Sequence, residues 1–494
     1  MHRNSEALYQ LSYGGSFNRS GICLIAFSFC RPLRFRHASL YGTMMSGDLG
    51  EIIETVRERV TPSDAEREAL AATVETLLSR TEAAVDEAGV DADVVRVGST
   101  SRDTWLRGDR DIDIFVRFDP SYDREDLERL GIDIGRAVLP DGRLEYAEHP
   151  YVKGTVDGYS IDLVPCFRVE SGADIRSAVD RTPFHAAYVE ERLDDSLATD
   201  VRVIKRFLEA IDVYGSDLRT EGFSGYLTEL LVLEYGSAEA FLQRAAEWRP
   251  PVRLDPEDHG SATFADPLVV IDPTDPERNV AAVVIEENVA RIQHYARNVV
   301  AEPTAEKFVP TAPEPMTRSE LETHLARRAT TPIAIRFRAP DVVEDQLYPQ
   351  LRSSTRNLSN ELYDRGFEPM RTASFAHEHG VLLFDLQVPS LPDIERHPGP
   401  PVHVEEHARA FLDRYADEQV YGPFIEGERY VVERPREVST AAAFLQSDAL
   451  LETGLGKDIR RTLADTYDVL VGEDILELLP EFGTDLREFY DPKP

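Results

Sequence analysis

Apolar positions recur every three to four residues between Asp48 and Ala84: Ile52, Ile53, Val56 and Val60, then Leu70, Val74, Leu77 and Leu78. That period predicts amphipathic helices. Thr61-Pro62-Ser63-Asp64 divides the stretch into two, with Pro62 near the start of the second. The pattern then shortens. Val94 to Val97 and Asp111 to Val116 read as strands, with Gly98-Ser99 as the turn after the first. Residues 151–156 and 159–165 form a further strand pair around Asp157-Gly158, a two-residue hairpin turn. Residues 184–300 read as mostly helical, for example 197–211 and 225–235, interrupted by a Pro- and Asp-rich stretch at 250–276. A linker is marked by Pro303, Pro310, Pro313 and Pro315. Beyond it lie a strand at 333–337, a helix over 344–365, a strand at 381–388, a second Pro cluster at 398–401 and a mixed helix–strand–helix close. No internal repeat or low-complexity tract is present.

At 494 residues the chain is long enough for two to four domains, and 42% hydrophobic content supports real cores. Charge changes the picture more. Ninety acidic residues against 54 basic ones give a formal net charge of −36, and Lys occurs only at 153, 205, 307, 457 and 493. An acidic, Lys-poor surface resembles proteins of salt-in halophiles, where a Debye length of ~3 Å at ~1 M salt screens the self-repulsion. Bulk charge argues against nonspecific nucleic-acid binding but leaves room for a local Arg-lined groove, and any nucleic acid must be held by specific contacts that survive high salt. Three Cys and no CxxC pair exclude a disulfide framework, and twelve His without ligand spacing predict no zinc. A reducing cytoplasm fits, and no apolar run approaches the ~20 residues that span a bilayer. Gly454-Leu455-Gly456-Lys457 lacks the upstream Gly of a phosphate-binding loop and reads as a helix end followed by a new helix. Residues 1–45 differ from the rest, with five Arg against Glu6 alone and an apolar run from Gly21 to Cys30. We expect this leader to be poorly ordered and functionally silent, translated upstream of a start at Met44 or Met45, rather than a signal peptide.

The chemistry concentrates at Val97 to Arg102 and Asp109 to Ile114. A strand ending in Gly98-Ser99, whose amides open a helix, is an arrangement that cradles phosphate. Asp111 and Asp113 alternate on the next strand, so their carboxylates share a face and repel unless a divalent cation lies between them. Asp162 sits in an apolar strand and needs a partner. Three carboxylates and a phosphate loop can build a two-metal site for nucleotidyl transfer.

Gly-Ser, Asp-x-Asp and a distant third Asp form the signature of the DNA polymerase beta nucleotidyltransferase superfamily. The local wording is sharper. Gly98-Ser99, Arg102, Thr104-Trp105-Leu106, Gly108-Asp109, Asp162 to Cys166, Asp180 to His185 and Gly222 to Tyr226 resemble the archaeal CCA-adding enzymes, from about residue 46 to the C-terminus. The resemblance implies an α+β multidomain fold: a polymerase-beta-type nucleotidyltransferase head (46–185), a helical neck (186–302) and an α+β body and tail (303–494). It implies that Asp111, Asp113 and Asp162 bind two Mg²⁺ ions, and that Gly98, Ser99 and Arg102 hold the triphosphate with Lys205 and Tyr214. Thr182 and His185 would line the sugar, and Arg278 would face the base. CTP and ATP would be the substrates, tRNA (acceptor stem and 3′ end) the partner, and a homodimer the assembly. Ser99 and Arg102 would also lie near the tRNA end. Arg352 and Arg356, four apart on one predicted helix, form a face for tRNA phosphates or an ordinary solvated face with Glu361 as partner. The rival readings are another transferase of the superfamily, such as a poly(A) polymerase or an oligoadenylate synthetase, and an inactive RNA-binding protein. Intact Asp111, Asp113 and Asp162 weigh against the last.

Overall fold

The two N-terminal helices form where the apolar spacing places them, α1 at Leu49–Val60 and α2 at Asp64–Ala88. Ser63 caps α2, directly after Pro62. Its hydroxyl accepts the Glu66 amide while the Glu66 carboxylate returns to the Ser63 amide, a capping box that satisfies two orphan donors. The computed structural model describes residues 48–494 except Ala147, Ala173 and Ser261, so the expectation for residues 1–45 lies outside the described residues. The described part is one compact unit.

A mixed sheet follows: β1 (Ala92–Val97), a single helical turn α3 (Gly98–Ser101), β2 (Asp111–Phe118), α4 (Arg124–Val138), β3 (Arg143–Tyr146), β4 (Pro150–Val156) and β5 (Tyr159–Phe167). Its order is β1-β2-β5-β4-β3, with β2 and β5 parallel and every other pair antiparallel. Ile112, Ile114, Val116, Ile161 and Leu163 bury one face with Leu77 and Leu127 from α2 and α4. The alternate residues Phe115, Val164 and Cys166 form a smaller core with Ala186 on the opposite face. Asp111, Asp113 and Asp162 share the parity of that second face, which is how the strand period delivers them to one side.

The next region holds α5 (Thr182–Arg192), α6 (Asp195–Ala210), α7 (Gly225–Tyr235), α8 (Ala238–Ala246), β6 (Val252–Leu254), β7 (Leu268–Asp272), β8 (Asp275–Asn279) and α9 (Glu286–Ala301). Two features depart from the sequence reading. The Pro-rich interruption contains a three-stranded sheet, β6-β7-β8, whose middle strand is wholly buried. And α1, expected with the sheet, packs Ile52, Ile53, Val56 and Val60 into the core of α6 to α9. Arg57 of α1 pairs with Asp200 of α6 at 2.5 Å.

The remaining elements are α10 (Arg318–Arg328), β9 (Thr331–Arg338), α11 (Glu344–Asp364), β10 (Pro369–Ala376), β11 (His379–Leu386), β12 (Ile394–Pro401), α12 (Glu405–Tyr415), β13 (Tyr421–Glu426), β14 (Arg429–Pro435), α13 (Ala441–Leu445), α14 (Lys457–Asp465), β15 (Asp468–Val471) and α15 (Leu479–Tyr490). The sheet β10-β11-β9-β15 is covered on both faces. The second Pro cluster lies in an edge strand: β12 flanks central β14, where missing amide donors are tolerated.

Candidate active site

Register builds the carboxylate centre. Asp113 of β2 lies directly beside Asp162 of β5, and Asp111 is two residues back on the same face. Across β4, Lys153 pairs in register with Asp162, and its Nζ comes to 2.7 Å of Asp162 Oδ1. That ion pair is the one partner of the buried Asp162 Oδ1 among the described residues. Burial first, then the charges of Asp162 and Asp111, push the Asp113 carboxyl up to about 6. Gly98 shows why the turn needs glycine. Its φ is +79°, and a Cβ there would stand 2.0 Å from Asp113 Oδ2. Among the described residues no three His, Cys, Asp or Glu side chains already stand in metal-ligand geometry. The donor set still fits a divalent cation. It consists of hard oxygens on three carboxylates, and the charges of Asp162 and Asp111 disfavour ionisation of Asp113 unless a cation offsets them.

Beneath the Gly98-Ser99 turn lies a residue the sequence reading missed. Glu229 of α7 is fully buried and takes the Arg102 guanidinium at Nε (3.1 Å) and Nη2 (3.0 Å). It also accepts the Thr104 hydroxyl at 2.6 Å. Lys205 of α6 is wholly buried and donates to the Thr104 carbonyl at 2.9 Å; burial holds its ammonium below the usual range despite Glu229 nearby. Tyr214 is raised by burial and then by Glu229. A Cβ at Gly225, the first residue of α7, would stand 3.2 Å from Tyr214 Oη and 3.7 Å from Lys205 Nζ. Arg102, Lys205 and Tyr214 therefore gather with Glu229 around the start of α7, with Arg102 and Lys205 engaged by protein groups.

A cavity of about 900 Å³ opens on the other side of that helix start, lined by Arg181, Thr182, His185, Ser224, Tyr226 and Arg278 among others. It unites three predicted residues, Thr182, His185 and Arg278. Neither the three carboxylates nor Ser99, Arg102, Lys205 and Tyr214 line it. His185 stacks on Tyr226 with ring centres 4.0 Å apart and planes at 13°. Both rings hydrogen-bond to Asp272, as does Arg278. Burial lowers the His185 pKa against the pull of Asp272, which favours the neutral ring.

Three family models match consecutive parts of the chain: a nucleotidyltransferase domain over residues 78–185, a tRNA nucleotidyltransferase second domain over 199–309, and a CCA-adding enzyme C-terminal domain over 328–472. The CCA-adding enzyme of Haloarcula marismortui is 54% identical over 466 residues, spanning 91% of this chain and all of the relative. The chain belongs to the CCA-adding enzyme family. Its relatives named CCA-adding enzyme include those of Halorubrum lacusprofundi, 52% identical over 90% of this chain and 100% of the relative, and Methanoregula boonei, 42% identical over 90% and 96%. Among solved structures a cytoplasmic RNA terminal U-transferase aligns with 54% of this chain and 99% of its own length at 16% identity and a TM-score of 0.42. The nucleotidyltransferase family uses a divalent metal and nucleotide substrates, and haloarchaeal relatives fit the halophilic reading of this chain's acidic composition.

Within this CCA-adding family member, the two arginines predicted on one helix part company. Arg352 donates to the Leu218 carbonyl at 2.6 Å and to Glu221 at 2.8 Å, tying α11 to the loop before α7. Arg356 is exposed. Glu361 pairs with Arg365 rather than with either of them. A second cleft of about 610 Å³, between Arg336, Tyr467, Asp468 and Glu477, is far in sequence from the carboxylates, and its lining charges pair with one another.

Proposed function

We propose that the chain adds C, C and A in sequence to the 3′ end of tRNA from CTP and ATP, without a template and with release of pyrophosphate. The register that sets Asp113 beside Asp162, with Asp111 on the same face, carries this reading. Two Mg²⁺ ions held by Asp111, Asp113 and Asp162, when bound, supply Lewis-acid stabilisation of the triphosphate and acidify the attacking 3′-hydroxyl. The chain's own groups do the positioning. Gly98 lets the turn lie against Asp113, which brings Ser99 to the phosphates. Arg102 and Lys205 set positive charge behind that turn, and Tyr214 closes the space between them and α7. Thr182 and His185 face the sugar, and Arg278 faces the base across the cavity. The 3′-oxygen attacks the α-phosphorus, and the bond to pyrophosphate breaks in line. The acceptor stem lies against the C-terminal region, with exposed Arg356 as a phosphate contact. The enzyme works in the cytoplasm as a homodimer.

Extension of a tRNA lacking CCA, resolved to single nucleotides at high KCl with Mg²⁺, tests this. CTP alone should add two residues, and ATP one more only after them; Asp113→Ala should add none. An A-tail of open length would replace the reading with a poly(A) polymerase. No transfer in any salt would leave an RNA-binding protein.

A further inference from the structure

Asp272 ends β7 with its side chain fully buried, and both carboxylate oxygens are in use. Oδ1 accepts the Thr274 amide and hydroxyl, each at 2.9 Å, and the Tyr226 hydroxyl at 3.3 Å. Oδ2 accepts His185 Nε2 at 2.9 Å and Arg278 Nη1 at 2.7 Å. Burial works to raise this carboxyl, yet His185, Thr274 and Arg278 hold it well below the ordinary range, so it stays ionised. An ionised carboxylate only accepts, so His185 donates from Nε2 and keeps Nδ1 as an acceptor. Arg278 makes no other side-chain hydrogen bond among the described residues while lining the cavity. One buried anion thus hydrogen-bonds three lining groups, two of them stacked face to face.

We propose that Asp272 is the positioning residue that sets which bases the cavity accepts, by fixing the plane of the Arg278 fork. The inference rests on the nucleotide reading of the cavity given above. A guanidinium is donor-only. Cytosine N3 and adenine N1 are acceptors, whereas uracil N3 and guanine N1 carry hydrogens. A fork held in one plane therefore meets acceptors on C and A and clashes donor to donor with U and G. A fork free to swing loses that contrast, because it can turn to the carbonyls of U and G instead. A site that discriminates by hydrogen bonding depends on such fixed placement.

The test compares single-turnover incorporation of CTP, ATP, UTP and GTP by wild type, Asp272→Asn, Arg278→Ala and the double variant, with Tm recorded for each. Asn keeps the shape and one accepting oxygen for Thr274 and Tyr226 but turns an NH₂ toward Arg278. Asp272→Asn should raise UTP and GTP incorporation relative to CTP by roughly 10- to 100-fold, and should add nothing further in the Arg278→Ala background. Equal loss with all four nucleotides, or additive effects in the double variant, overturns the proposal. Relaxed selectivity in Arg278→Ala beside unchanged selectivity in Asp272→Asn sinks this inference alone. Unchanged selectivity in Arg278→Ala sinks the assignment of Arg278 to the base, and the inference with it. If Asp272→Asn does not fold, Arg278→Lys decides: it keeps a cation for Asp272 without a fixed plane, and wild-type selectivity there overturns the proposal.

Discussion

Asp113→Asn separates the electrostatic cost of the carboxylate centre from its chemistry. Burial, then Asp162 and Asp111, raise the Asp113 carboxyl from 3.8 in the free residue to about 6. The folded chain therefore holds this proton more tightly than the unfolded one, and ionising the group weakens the fold. The penalty is absent below about pH 3.8, grows as pH rises through about 6, and is constant above. The gap corresponds to about 1.5 kcal/mol at pH 5 and about 3 kcal/mol at pH 8. An asparagine of the same shape removes it. The chain has two Trp, so a Trp248→Phe background leaves buried Trp105, which shares its core with Ile112, to report on the sheet. Urea unfolding with EDTA at fixed KCl should place the Asp113→Asn midpoint above wild type at pH 8, and by about half as much at pH 5. Added Mg²⁺ should raise the wild type and leave the variant, and the variant should transfer no nucleotide. A variant less stable than wild type at both pH values, or a gain that does not change with pH, would refute the reasoning.

Glu229→Ala leaves the Arg102 guanidinium buried with its main partner gone, which should cost roughly 3–5 kcal/mol in urea unfolding; a cost below ~1 kcal/mol would show that the pair is easily replaced. Lys205→Met removes an ammonium that burial disfavours, so the Tm should hold while the KM for CTP and ATP rises together, and an unchanged KM would make Lys205 structural. Arg356→Ala should weaken tRNA binding and flatten its salt dependence, whereas Arg352→Ala, whose guanidinium holds Leu218 and Glu221, should instead lower stability by about 1–2 kcal/mol; the reverse pattern in gel-shift and unfolding assays refutes the assignment. Transfer activity should be higher at ~2 M KCl than at ~0.1 M, and activity that dies above ~1 M would end the halophilic reading.

The sheet and its carboxylates were legible because two short-range rules, the strand period and the hairpin turn, fix side-chain placement without tertiary information. Even Lys153 was readable in principle. A two-residue turn at Asp157-Gly158 sets Val156 opposite Tyr159, and counting back puts Lys153 opposite Asp162. The sheet β6-β7-β8 was not legible, since its buried strand is a run of four apolar residues in a Pro- and Asp-rich stretch. Nor was the place of α1, because helical spacing marks an apolar face without naming what covers it. Glu229 lay hidden for a different reason. A carboxylate inside the apolar helix 225–235 carries no periodic signal, and its partners Arg102 and Thr104 are more than 120 residues away.

Glu229 and Asp272 are alike in a way that bears on how the site works. Each is a fully buried anion within residues 199–309, and each holds groups that come before residue 186: Arg102 and Thr104 for Glu229, His185 for Asp272. Arg181 with Asp275 at 2.9 Å adds a third such tie, and Arg57 with Asp200 a fourth. In these four the anion lies on the later segment, while Arg202 with Asp103 at 2.9 Å runs the other way. In concentrated salt, exposed pairs of this kind would be screened within ~3 Å, but fully buried ones keep their strength. The alignment of phosphate turn and base cavity therefore rests on buried contacts, Arg102 with Glu229 and His185 with Asp272, that salt reaches little. That predicts a division among variants: surface charge reversals should shift the salt optimum, while Glu229→Gln and Asp272→Asn should change nucleotide handling equally at ~0.5 and ~3 M KCl.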